Sequence, residues 1–196
     1  MKRNLLAGIL AFLVSTLSFG QIFRCTGEVQ NGTAPISLHF TDYLQFKYLL
    51  LVEGVSIFLE ETQIDQLRSI LEKFKTWEAL AREGQISLTK TIDSLKFSGF
   101  HYNHTFFKEP LTFYFVFTGG PSGVRPGKPP VPEGTETGEA PQTRYDLYVD
   151  TTLEALSPFR LGGEAVEKFL EALSPEHLAE SLEAYEQQKA LENLFN

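Results

Sequence analysis

The sequence predicts an α+β fold: antiparallel strands plus a long amphipathic helix, more strands, then two C-terminal helices. Three observations carry this. Short segments within 22–60 and 94–149 alternate apolar and polar residues, or run continuously apolar, between tight-turn signals. Residues 63–83 carry an apolar stripe at three- and four-residue steps, the pattern of a helix lying on a sheet. Helical spacing returns after Gly162-Gly163 and holds to the end of the chain.

The elements follow in order. Ile22–Val29 reads as a short strand and Asn31-Gly32 as a turn. Ile36-Ser37-Leu38-His39-Phe40 alternates as a half-buried strand does. Leu44–Val52 is apolar enough for a buried strand, and Val55–Leu59 follows across the turn Glu53-Gly54, which makes a meander. In the long helix Thr62 is the expected N-cap, with Asp65 completing a capping box. Ile64, Leu67, Ile70, Leu71, Phe74, Trp77 and Leu80 form its stripe, and Gly84 is the expected left-handed stop. Ile86–Thr91 reads as an edge strand before a strand at Ser94–Phe100. Leu111–Thr118 sets Phe113, Phe115 and Phe117 on one face and Tyr114 and Val116 on the other, as in a central strand covered on both sides. Tyr145–Val149 is the last expected strand. Ala165, Val166, Phe169, Leu170 and Leu173 form the stripe of the next helix. Ser174 caps a final helix with Pro175 at its first position, to be seated by Leu178, Leu182, Tyr185, Leu191 and Phe195. Glu176, Glu180, Glu183 and Glu186 read as its solvated side. The order amounts to a strand-then-helix pseudo-duplication. In element order alone it resembles single-stranded nucleic-acid-binding folds.

Residues 1–20 have the order of a secretory signal peptide: Lys2 and Arg3, an apolar run from Leu5 to Leu17, then Ser18-Phe19-Gly20 before a cut at Gln21. The run is shorter than the roughly 20 residues of a membrane span. The protein is therefore expected to be exported, periplasmic or extracellular, and bacterial. Residues 21–196 should form a single α+β domain, with 119–142 a mobile Gly/Pro-rich loop inside it and 174–196 a C-terminal helix. Half of residues 119–142 are Gly or Pro, which leaves too little apolar surface to offset ordering.

The chain is acidic, with a net charge of −8. Loss of Lys2 and Arg3 takes it to about −10, with no basic cluster of the kind that binds phosphates. Nucleic acid and anionic lipid are thereby disfavoured as partners, and no membrane span is expected in the mature chain. Cys25 is the only cysteine, so no internal disulfide can form. Ile22-Phe23-Arg24 lacks the small residues that precede a lipidated cysteine, and Cys25 reads as a partly buried, apolar thiol.

Few residues suggest chemistry. His101 and His104 are the best metal pair, but a third ligand would have to come from Glu109 or from a distant residue, and two exposed loop histidines is the plainer reading. No Gly-x-Ser-x-Gly elbow occurs, and Ser122 lies in the mobile loop. Asp146 and Asp150 share one strand face and read as solvated. No catalytic residue and no cofactor is assigned. Aromatic density is the stronger signal. Phe100, Tyr102, Phe106 and Phe107 surround an expected loop and form the candidate ligand-binding patch. The sequence thus points to an exported, non-enzymatic module that binds a protein or small apolar ligand through its sheet or aromatic loop. The alternatives are a periplasmic hydrolase with a site assembled from distant residues, and a structural envelope-associated protein.

Overall fold

The computed structural model describes residues 20–30, 32–42, 46–100, 106–117, 144–152 and 156–195. Four strands come first, β1 (Gln21–Val29), β2 (Gly32–Phe40), β3 (Tyr48–Val52) and β4 (Val55–Leu59), then helix α1 (Glu61–Gly84). The second half repeats that order with β5 (Thr89–Phe100), β6 (Phe106–Phe117), β7 (Tyr145–Thr151) and β8 (Phe159–Gly162), then α2 (Gly163–Ala172) and α3 (Pro175–Phe195). Every strand is antiparallel to the next, and β8 returns to β1, so the sheet closes into an eight-stranded barrel.

Period-two alternation decides which residues fill it. Ile36, Leu38, Val52, Ile57, Leu95, Phe115 and Leu147 point inward and are almost fully buried. Arg24, Thr26, Glu28, Ser94 and Lys96 point outward. This is the inverse of a bilayer-crossing barrel, whose outer band is apolar and whose interior is polar. Among the described residues no helix is long and apolar enough to cross a membrane.

The interior is filled rather than hollow. Leu67 and Leu71 of α1 and Phe169 of α2 meet barrel residues such as Ile36, Leu111 and Leu161 around a wholly apolar cavity of ≈ 20 Å³. That is about the room of one water, far below the roughly 300 Å³ at which small-molecule pockets begin. Phe23 stacks on Phe169 with centroids 4.3 Å apart, which ties α2 to β1. Closure also demands a glycine. A Cβ on Gly27 would lie 2.6 Å from Ile36 Cδ1 and 3.3 Å from the Arg160 carbonyl oxygen, where β1 is held between β2 and β8.

Several boundaries depart from the sequence expectation. The cap of α1 is Glu60 rather than Thr62, because Gln63, not Asp65, reaches back to accept the Glu60 N–H at 2.6 Å. Gly84 is still helical. Gln85 is the left-handed residue (φ 49°), with Gln85 N–H donating to Arg82 O and Ile86 N–H to Ala81 O in a Schellman closure. The helix runs that far because Tyr145, inside the barrel, holds Ala81 O and Ile86 O with its hydroxyl. The two expected segments after α1 form one strand, β5, bulged between Thr91 and Asp93. The strand expected from Leu44 begins at Tyr48. β8 was not expected, since four residues are too few to show a period.

The cap of α3 is as expected: Ser174 Oγ accepts the His177 N–H at 3.2 Å. Tyr185 stacks on Phe40 and donates to Asp42 Oδ2 at 3.0 Å, and Lys189 pairs with the same carboxylate. Leu178 and Leu182 pack on the core, but Leu191 is 57% exposed and seats nothing. The Phe195 side chain, Thr118 and the expected loop 119–142 lie outside the described residues.

Candidate binding face at the barrel seam

Barrel closure brings β8 against β1 over only two pairs, Glu28 with Arg160 and Val29 with Phe159. The registers of β6 with β7 and of β7 with β8 place Tyr114 opposite Tyr148 and Tyr148 opposite Arg160. Tyr114, Tyr148, Arg160 and Glu28 therefore make one outward row across four strands. The Tyr114 and Tyr148 rings lie 6.0 Å apart, and the Arg160 guanidinium stands 5.5 Å from the Tyr148 ring. Directly opposite neighbours on one sheet face interact in this way.

Arg144 ties the row to its neighbours. Its Nη2 lies 2.8 Å from Glu28 Oε1 and its Nε donates to Asp146 Oδ1 at 2.7 Å. Burial works against the guanidinium's charge, but the bonds to Glu28 and Asp146 more than offset this and hold its pKa above the ordinary value. Asp146 corrects the expectation of a solvated pair. It is 1% exposed, and a buried carboxylate of this kind needs its cation. Gly162 lies directly across from Asp146 in the pairing of β7 with β8. Asp150 is half-buried, and its carboxylate accepts the Thr151 N–H.

The residues singled out from sequence fare differently. His101, Tyr102 and His104 lie outside the described residues. Phe106 and Phe107 are not loop residues: β6 begins at Phe106, with Phe106 paired to Phe100 and Phe107 to Gly99 at the end of the β5–β6 hairpin. Among the described residues no three His, Cys, Asp or Glu side chains are grouped to hold a metal. His39 sits on a strand surface with its Nε2 2.8 Å from Ser37 Oγ, and His177 lies in the first turn of α3. Cys25 is partly buried on the inward side of β1, and burial pushes its thiol pKa up to about 11.

Sequence reasoning did not find the seam row. Tyr114 and Tyr148 were visible on alternating strands, but their register was not, and Arg160 lies in the unexpected strand. The row offers phenol rings and guanidinium groups, the residue types that anchor interfaces, beside carboxylates, and it contains no nucleophile with an adjacent base. Fold and site together define a closed antiparallel barrel, packed with its own helices, with the Tyr114–Tyr148–Arg160–Glu28 row on its outer face. The chain matches no protein-family model, no curated protein and no solved structure.

Proposed function

We propose that this is an exported, non-enzymatic module that binds a protein partner through the outer face of the barrel seam. The observation that carries this reading is the Tyr114–Tyr148–Arg160–Glu28 row on a barrel whose interior is occupied. A filled interior turns a small apolar ligand away from the lumen and leaves recognition to the surface. Tyrosine and arginine supply large contact area with polar handles, as interface cores do. Export is supported by the position of β1, which starts at Gln21, the first residue after the expected cut.

The test is native mass spectrometry of the protein purified from its own host. The wild type should retain a polypeptide partner, and the variant Tyr148→Ala/Arg160→Glu should lose it while keeping its far-ultraviolet circular dichroism. A bare wild-type chain, or equal retention by the variant, would sink the reading. The same spectra test export, since the mature mass should begin at Gln21.

A further inference from the structure

Four large apolar side chains are exposed among the described residues: Leu80, Ile86, Leu191 and Leu194. They fall into two patches of opposite charge. Leu80 lies on a flank of α1 with Lys73, Gly84 and the half-buried Trp77, whose ring also meets Phe115 of the core; the four recur at helical steps of three and four. Ile86 folds back over this face, its Cδ1 2.9 Å from where a Gly84 Cβ would stand. The ammonium groups of Lys73 and Lys90 lie 5.2 and 4.7 Å from the Trp77 ring, and Lys73 also donates to Ile92 O. This patch is apolar with a cationic flank.

The second patch is its complement. Glu180, Glu183, Gln187, Leu191 and Leu194 are all exposed and share one side of α3. Leu178, Leu182 and Tyr185, which seat the helix, lie on the opposite side. The spacings also agree. Glu183, Gln187, Leu191 and Leu194 step along α3 almost as Lys73, Trp77, Leu80 and Gly84 step along α1. Laid parallel, the two faces set glutamate on lysine, Gln187 on Trp77, Leu191 on Leu80, and Leu194 against the Ile86 side chain that covers Gly84. Repeats of this kind are what let two helices pack along a shared seam.

We infer that the occupant of the Trp77–Leu80–Ile86 face is the outer side of α3 from a second copy of this chain. The contact joins different patches, so reciprocal exchange closes a dimer and one-way exchange builds a ring or an open chain. It uses a different surface from the seam and does not depend on that reading.

Sedimentation velocity across a concentration series tests it. The wild type should shift to larger species as concentration rises. Leu191→Glu/Leu194→Glu, at exposed positions, should stay monomeric with an unchanged melting temperature. Lys73→Glu/Lys90→Glu should weaken association at least tenfold, and adding Glu180→Lys/Glu183→Lys should restore it. A wild type that remains monomeric at about 1 mM, the weak end of the affinity scale, overturns the inference. So does association unchanged by the leucine variant, or a charge swap that fails to rescue. A monomer that instead sediments with phosphatidylglycerol vesicles through Trp77 and Leu80 overturns it in favour of a lipid surface.

Discussion

Removing the hydroxyl of Tyr145 isolates the latch between barrel and helix. Tyr145 is 1% exposed, and its hydroxyl lies 3.0 Å from Ala81 O and 3.2 Å from Ile86 O, with one proton to share between them. In Tyr145→Phe the ring keeps its packing against Phe115 and Phe117, with centroids 5.3 and 5.5 Å away, and stays under the Arg82 guanidinium. Ala81 O retains the Ile86 N–H, so it is not stranded. Ile86 O loses its hydroxyl partner. Ile86 is exposed, so water can take up its carbonyl and no buried acceptor is stranded. The expected loss is therefore that of one net hydrogen bond, about 0.5–1.5 kcal/mol. For a chain of this length each kcal/mol lowers the melting temperature by about 2–4 °C. Urea unfolding should show a lower midpoint at constant slope, and native-state hydrogen exchange should speed up at Gln85 and Ile86 before it does in the strands. A loss below about 0.5 kcal/mol, with exchange at those two amides unchanged, would refute the latch.

Gly163→Ala should destabilise by about 1–2 kcal/mol. Its Cβ would stand 2.5 Å from Glu78 Oε1, a carboxylate pinned by Lys75 at 2.9 Å and Arg82 at 2.8 Å. In a Glu78→Ala background the same change should become neutral or stabilising, because alanine exceeds glycine in a helix by about 0.5–1 kcal/mol; equal cost in both backgrounds refutes the clash. Glu78 should also shape the acid limb of stability. Burial raises its pKa, but the bonds from Arg82 and Lys75 win and hold it below 4.5. A depressed folded pKa means the stabilisation is complete above that ordinary value and fades as pH falls through the lowered one. Urea midpoints measured against pH should thus fall less steeply in acid for Glu78→Gln than for wild type, and parallel curves would contradict this. Cys25, with its thiol near 11, should be about one part in a thousand thiolate at pH 8 and label slowly with a disulfide reagent until the protein is unfolded. Complete labelling of the native protein within a minute would show the site is open.

Much of the secondary structure was legible because its causes are local. Phe113, Phe115 and Phe117 announce one strand face through a period of two, and Ile64 to Phe74 announce a helix through a period of 3.6. Ser174-Pro175 announces its cap through one side-chain oxygen. The start of β6 was less legible. Lys108, Glu109 and Pro110 interrupt the apolar pattern, and proline argues against a strand until pairing with Lys96 tolerates it. The burial of Asp146 was hidden as well. Its neighbour Asp150 has the same type and strand face, and only closure of the barrel brings Glu28 to the Arg144 that pairs with Asp146.

From its residues alone, the chain determined most of the inward and outward alternation of its strands, roughly where α1, α2 and α3 run, and that Cys25 would find no disulfide partner within the chain. Those properties depend on neighbours two to four positions away. Closure of the barrel was decided by the tertiary structure, and with it the meeting of Tyr114, Tyr148, Arg160 and Glu28. Two residue pairs join β1 to β8, and their register is set by the twist and packing of every strand between them. No local pattern near Glu28 encodes that it will stand beside Arg160.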